Sequence, residues 1–508
     1  MKQSKTSLKV NQIKIKKISD FLNENKIIIL LFIFSTLFFL YQRSANFSWD
    51  FCSYVLNAKY WFAQGTYFEP FRPPLMPFIM GILSFFGWKS SEYLYIVLVS
   101  FLFMVSSVKL AESLKLNKNI FYLLSLNSYV FLTGLINGTE LLSLSFLELF
   151  IAYLIKNKNS GIFLGLSSLS RYTCISFFPL LLFHRNIKSI IKNFILFVIP
   201  FLPWFLYNYI KFGNMFMGIA DSYANNIYFR NYIHQSINYM HLIYVVNFLL
   251  PFFLFGLIIT LFKIFKSLKD NNFIYNWKKF IEKNIADILM ILILIFSLYG
   301  YFKIPIKSSR YIFNMILPTV YFSIIGINSI KIKKLNFKRL AVVIIIFLNL
   351  FLIFQYFTVQ NSYKKEVYVD ALKNINEMGI GNNCSFMSNS WVFLNYLERK
   401  TSIFPRKQLV PYYVNEGHYM LFFNHISEPS YVHNETFMSG FPIILKNEDY
   451  ILIGNNNCTE IRELDRTYMT MLNETVYTIQ NESTETNPCN ILFSNQFIKK
   501  TCKIINFK

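Results

Sequence analysis

The chain is expected to fold as a polytopic α-helical membrane protein carrying a small C-terminal α/β domain. Three observations lead there. First, hydrophobic residues make up 54% of the 508 positions and charged residues only 15%, with 57 Phe and 33 Tyr. A soluble surface carries roughly a quarter to a third charged side chains. Second, apolar runs recur as far as position 358, whereas beyond it they become short and are broken by Asn, Gly, Pro and charge. Third, the net charge of +23 is unevenly held: from Gln360 onward 14 Lys/Arg meet 15 Asp/Glu, so the preceding part carries +24. That excess sits in short stretches between apolar runs, which is the positive-inside pattern of a multi-pass protein. It forms no basic face with interleaved aromatics, so no nucleic-acid partner is expected. Membrane lipids are the expected surroundings.

Residues 1–26 hold seven Lys and no small-residue cleavage site, so the run from Ile27 to Tyr41 reads as a signal anchor behind a cytoplasmic N-terminus. Further apolar runs cover 75–88, 93–111, 118–135, 141–155, 161–183, 194–210, 241–262, 285–302, 311–329 and 340–358. The basic connectors are Lys115/Lys118, Lys156/Lys158, Arg185/Lys188/Lys192, Lys263 to Lys283, and Lys331 to Arg339. All five belong in the cytoplasm. Parity then makes two demands: 161–183 must go out and back as two short helices turning near Arg171, and either 75–88 does not cross fully or the chain breaks once more elsewhere. About 11–13 spans result, with domains at 1–26 (basic N-terminus), 27–358 (membrane domain) and 359–508 (extracytoplasmic). The protein belongs in the cell membrane. The tail is expected to begin with a helix over 362–378 and continue as short strands.

Four of the six Cys (Cys384, Cys458, Cys489 and Cys502) fall in the tail, where an oxidising compartment allows three pairings; four free buried thiols are the alternative. Cys52 and Cys174 lie in the membrane part. No CxxC or HExxH occurs, and His418, His425 and His433 read better as surface histidines than as ligands. Of seven Asn-x-Ser/Thr sequons none lies in a predicted cytoplasmic loop and five lie in the tail.

Chemistry is to be sought where charge meets the outer ends of spans. The first outer loop contains Asp50, then the aromatic stretch through Tyr54, Tyr60 and Trp61, then Gly65-Thr-Tyr-Phe-Glu69-Pro-Phe-Arg72-Pro73-Pro74-Leu75. Asp50 suits a general base towards a hydroxyl; the bland alternative is a solvated cap on a helix starting at Phe51. Asn137-Gly-Thr-Glu140 precedes an apolar run, and Gly165-Leu-Ser-Ser-Leu-Ser-Arg171-Tyr172 follows it. Pro203-Trp204 leads to Asn208-Tyr209 and Gly213-Asn214, and Lys307-Ser-Ser-Arg310-Tyr311 precedes Pro318. A long loop over 211–240, with Asp221, Tyr223, Arg230 and His234, could gate the site.

In this order, over residues 26–330, the pattern resembles the GT-C superfamily of membrane glycosyltransferases, in the branch of the protein mannosyltransferases and the lipid A aminoarabinose transferases. The chain departs in having Arg72 where that branch usually has Lys or His, and it lacks the Trp-Trp-Asp motif of the oligosaccharyltransferases. The resemblance implies a GT-C-like fold and transfer of a single sugar from a polyprenyl- or dolichyl-phosphate donor, with inversion, to a glycan, protein or lipid hydroxyl outside the membrane. It implies Asp50 as catalytic base and Arg72, Arg171, Lys307 and Arg310 as partners of the donor phosphate, since preorganised cations stabilise a departing lipid phosphate. Snorkelling to headgroups is the alternative for these cations, most of all for Lys307. Glu140 would orient the acceptor or, with Asp50, hold a divalent cation; its alternative is a first-turn Glu favoured by the helix dipole. Tyr54, Tyr172 and Tyr311 would line the substrate loops. A lipid-linked-sugar flippase would share the spans and buried cations, but should show internal repeats and midplane polar groups. A surface adhesin would not need so many spans as an anchor.

Overall fold

The computed structural model describes residues 25–65, 67–223, 226, 235–268, 277–330, 337–359, 365–455 and 457–459. The basic N-terminus, most of the connector from Lys331, Arg230, His234, Cys489 and Cys502 lie outside the described residues. The molecule is mostly helical, with a small sheet domain at its C-terminal end. Six helices are long and apolar enough to cross a membrane: Lys26–Ala45 (α1), Trp88–Ser113, Ile187–Phe212, Tyr239–Leu268, Phe280–Lys303 and Ser309–Ser329. Shorter apolar helices include Leu75–Phe86, Gly161–Ser170, Tyr172–Phe183 and Leu340–Gln355. The protein is a multi-pass membrane protein. Its helices leave large apolar side chains such as Ile187, Ile191, Phe194 and Ile210 exposed, as lipid-facing surfaces do.

After α1, helix α2 (Trp49–Phe62) and the short α3 (Leu75–Leu83) lead into α4 (Trp88–Ser113). The next passage breaks into α5 (Lys118–Ser125) and α6 (Ser128–Thr133), where Asn127 caps α6 by accepting from the Val130 N–H. Then come α7 (Glu140–Ile155) and α8 (Gly161–Ser170). Helix α8 ends at Arg171, whose backbone is extended (φ −150°, ψ 116°), and a 3-10 segment, Tyr172–Phe183, follows. The long helices α9 (Ile187–Phe212), α11 (Tyr239–Leu268), α12 (Trp277–Lys303) and α13 (Ile316–Ser329) complete the core, with α10 (Met217–Tyr223) between α9 and α11. Helices α11 and α13 approach backbone to backbone: a Cβ at Gly256 would lie 1.8 Å from the Phe322 carbonyl oxygen, and one at Gly326 would lie 2.2 Å from that of Phe252. Only glycine fits such a crossing.

Contacts between loops sort the helix ends into two faces. On one, Lys118 donates to Asn25 (2.7 Å), His184 meets both Asn157 (3.1 Å) and Ser160 (2.9 Å), Arg185 pairs with Glu282 (3.6 Å), and Lys263 pairs with Asp287 (2.6 Å). Segments 156–160 and 184–185 therefore adjoin, and 161–183 turns back at Arg171 as charge parity requires. On the opposite face Arg43, at the end of α1, pairs with Glu92, one turn into α4 (2.6 Å). Arg72, just before α3, bonds Asp50 at the start of α2, so both ends of 75–88 lie on this face and the nine-residue α3 does not cross. Described residues of four of the five basic connectors make or adjoin these contacts; 269–276 of the fourth and most of the fifth lie outside the described residues.

After α14 (Phe337–Val359), the tail opens with α15 (Lys365–Glu377) and forms a five-stranded sheet of order β2-β1-β3-β5-β4. Strands β1 (Phe386–Ser388), β2 (Thr401–Ile403) and β3 (Tyr419–Phe423) pair in parallel; β4 (Ile443–Lys446) and β5 (Tyr450–Ile453) add antiparallel. Between β1 and β2 lies α16 (Trp391–Tyr396). Cys384 and Cys458 are disulfide-bonded across 74 residues. This overturns the reading of four free thiols, whereas Cys52 and Cys174 are free and buried. The tail docks on the membrane domain through one apolar cluster shared by Phe47, Cys52, Leu56, Tyr368 and Phe393.

Candidate active site

Asp50 lies in the first turn of α2, whose N-cap is Ser48. The helix starts two residues earlier than expected and the Asp50 carboxylate caps nothing. It turns instead to two guanidiniums, accepting from Arg72 Nη1 (2.8 Å) and from Arg310 Nη1. Arg72 follows the aromatic loop and is oriented by Glu69, which accepts its Nε as well as the Tyr67 hydroxyl. Glu69 is in turn locked by Asn57, which exchanges two 2.9 Å bonds with its backbone N–H and C=O. The Arg72 guanidinium also stands over the Tyr54 ring, 5.1 Å from its centroid.

Glu140 opens α7 and is fully buried. Its carboxylate accepts from Arg171, and from Arg310 Nε (3.1 Å) and Nη2 (3.0 Å). Arg171 owes its position to the break after α8, and its Nη2 also reaches the Arg310 carbonyl (3.3 Å). The result is an alternating chain of charges, Glu69–Arg72–Asp50–Arg310–Glu140–Arg171, three of each sign. Breaking any one buried pair by removing a partner costs about 3–5 kcal/mol. Burial alone would raise the Asp50 carboxyl, but Arg310 and Arg72 outweigh it and hold it well below the usual carboxylate range. Burial likewise raises the Tyr54 phenol.

All of these groups but the buried Glu140 line one cavity of about 700 Å3, with Tyr54, Phe71, Tyr172 and Tyr311 as aromatic walls and Ile175, Ile219 and Ile304 as an apolar margin. Tyr172 is fixed by the Trp204 indole N–H, 2.9 Å from its hydroxyl. Ser222, Tyr223 and Asn226 join the lining, so the described part of the 211–240 loop does reach the site.

Two expected roles meet a different placement. Lys307 does not line this cavity: its Nζ donates to the carbonyls of Tyr301 (3.0 Å), Phe302 (3.1 Å) and Ile304, capping the end of α12. A cation that satisfies exposed carbonyls at a helix C-terminus is where the dipole favours it. Second, Asp50 and Glu140 do not face each other across an open gap suited to a divalent cation. The Arg310 guanidinium fills that gap and bonds both. Any cation held by the two together would have to displace it. Among the described residues no group of three or more His, Cys, Asp or Glu converges on a metal-sized site.

No family model matches the sequence, and no curated protein matches it significantly. The arrangement of helices does have counterparts among solved structures. ArnT from Cupriavidus metallidurans bound to undecaprenyl phosphate superposes with a TM-score of 0.57 at 11% identity, covering 84% of this chain and 97% of that one. The same protein in its apo state gives 0.53 at 9% identity, with the same coverage. The chain has the GT-C fold.

Within this GT-C fold the cavity brings together Asp50, Arg72, Arg171, Arg310, Tyr54, Tyr172 and Tyr311 from four separate segments of the chain, with Glu140 beneath them. Three participants escaped the sequence reading. Glu69 carried a legible signal, since its spacing of three from Arg72 allows the pair they form. Trp49 and Trp391 carried none: they meet, at ring centroids 4.6 Å apart, only because the tail folds back on α2.

Proposed function

We propose that this chain is a membrane glycosyltransferase that moves a single sugar from a polyprenyl-phosphate donor to an acceptor hydroxyl, on the outer face and with inversion. The observation that carries this reading is the cluster of Arg72, Arg171 and Arg310 around Asp50 at one aromatic-walled cavity. Three guanidiniums suit a phosphodiester that gains charge as its sugar leaves. ArnT of the same fold binds undecaprenyl phosphate. The cavity is large enough for a saccharide, and its margin of Ile175, Ile219 and Ile304 is a suitable approach for an isoprenoid chain.

In this mechanism the acceptor oxygen attacks the anomeric carbon from the side opposite the phosphate. The C–O bond to the phosphate breaks, its electron pair leaves with the polyprenyl phosphate, and the acceptor's proton passes to Asp50. A carboxylate held by two guanidiniums is a weak base. Donor phosphate that draws Arg310 or Arg72 to itself restores basicity to Asp50 when the donor is in place. Arg171, bonded to Glu140, offers the phosphate its remaining N–H donors.

The test is release of undecaprenyl phosphate from undecaprenyl-phosphate hexoses and pentoses by the full chain in nanodiscs, followed by mass spectrometry. Asp50→Asn preserves size and should lose about two to four orders of magnitude in rate. Arg171→Ala and Arg310→Ala should each lose about 2 kcal/mol of transition-state stabilisation. A correctly inserted Asp50→Asn protein with near-normal transfer removes Asp50 from the chemistry. Movement of intact lipid-linked sugar across a vesicle, with no release, favours the flippase instead.

A further inference from the structure

The tail contributes a wall to the cavity. Trp391, the first residue of α16, lines it beside Trp49, the neighbour of Asp50. The two indoles meet edge to face, 86° apart, and make a right-angled corner. Both stay partly exposed, unlike Phe47 and Phe393 behind them. The corner is held firmly. Phe393 stacks on Phe47 (5.4 Å) and meets Trp49 (5.5 Å), Trp391 meets Phe404 (6.0 Å), and Tyr396 donates to Glu92 (2.7 Å). A rigid aromatic corner loses little entropy on binding.

We propose that Trp391 and Trp49 form a saccharide subsite that receives the acceptor, whose reacting hydroxyl is therefore carried on a sugar ring. This rests on the transferase reading above and deepens it. The apolar C–H face of a pyranose packs on an aromatic face, while its hydroxyls need charged or polar partners beside it. Asp50 is adjacent to Trp49 in the chain and lines the same cavity, so a ring seated here presents its hydroxyls to that carboxylate. The guanidiniums are committed to the phosphate end and the isoleucines to the lipid. Through Trp391 the indole corner includes the part of the wall that comes from outside the membrane domain, the direction from which a water-borne acceptor arrives.

Saturation-transfer NMR on the full chain in nanodiscs tests this, with methyl glycosides of glucose, galactose, mannose and N-acetylglucosamine as probes and a Ser/Thr peptide as comparison. With undecaprenyl phosphate bound, ring C–H protons of at least one glycoside should receive saturation. Trp391→Ala should reduce that signal about tenfold and Trp391→Phe only slightly. Undecaprenyl phosphate affinity should stay within about twofold in both variants, because neither indole touches the guanidiniums' ion pairs. With undecaprenyl-phosphate hexose bound the glycoside signal should persist; its displacement would assign the corner to the donor's sugar and overturn the acceptor assignment. Absence of any glycoside signal in the wild type, binding of the peptide instead, an unchanged Trp391→Ala, or loss of undecaprenyl phosphate binding in that variant would each overturn it too. A wild type that fails to bind undecaprenyl phosphate at all sinks the transferase reading, a separate outcome.

Discussion

Replacing Glu140 by Gln separates two quantities that usually move together, stability and affinity. Glu140 is fully buried and serves both Arg171 and Arg310. The amide keeps an acceptor for one of them but removes the charge from both pairs, a loss of about 3 kcal/mol of folding free energy. For a phosphate the effect is opposite. The six charges of the resting cluster cancel, so an arriving anion meets no net attraction beyond its local contacts. Glu140 lies 3.0 Å from Arg310, which puts a phosphate on the far side of that guanidinium about 6 Å away. At an effective dielectric near 20 the repulsion is about 3 kcal/mol, and water in the open cavity reduces it to about half. Undecaprenyl phosphate should therefore bind Glu140→Gln about tenfold more tightly than wild type, while thermal unfolding in nanodiscs moves to lower temperature. Weaker binding together with lower stability would refute the reasoning, because it would make Glu140 a scaffold for the guanidiniums and nothing more.

Three further outcomes follow from the geometry. Because Arg310 and Arg72 hold the Asp50 carboxyl low, its contribution to stability is complete above the unfolded value near about pH 4 and is lost only as pH falls through the depressed folded value; the pH profile of kcat/KM, which reports the free protein, should show no acid limb from Asp50 between about pH 8 and 5. Reducing the Cys384–Cys458 bond frees a 74-residue separation in the unfolded tail, costing about 4 kcal/mol by loop entropy, and limited proteolysis with and without reductant should show the tail cut first. Lys307→Gln should lower thermal stability by about 1 kcal/mol through lost capping of α12 and leave undecaprenyl phosphate affinity unchanged; a large affinity loss would return Lys307 to the phosphate site.

Much of this architecture was legible because membrane insertion obeys simple rules. Charge parity called for the reversal at Arg171, with which the contacts of His184 agree; for 75–88 it left two choices, no full crossing or one more break, and only the contacts of Glu92 and Arg72 decide between them. Asp50, Arg72, Arg171 and Arg310 were legible as charges at span ends, where ionisable groups are seldom accidental. Lys307 carried the same signal but lies on helix carbonyls, since a cation near a span end satisfies these as readily as a ligand, and only distances tell the two apart. The Cys384–Cys458 pairing, Trp391, and the Arg43–Glu92–Tyr396 contact depend on long-range docking of the tail, which no local pattern encodes.

That docking also decides what can be taken apart. Glu92 receives Arg43 from the membrane domain on one side and the Tyr396 hydroxyl from the tail on the other, while Phe47 and Trp49 are covered by Tyr368, Trp391 and Phe393. Cut at residue 360, the membrane half would be left with bare rings and a half-satisfied acid at its water boundary. The freed tail would carry the matching oily face into solution. The two halves therefore make poor modules for domain swapping or for solubilised screening, and exchange of tails between related chains would need Phe47, Trp49 and Glu92 to travel with them.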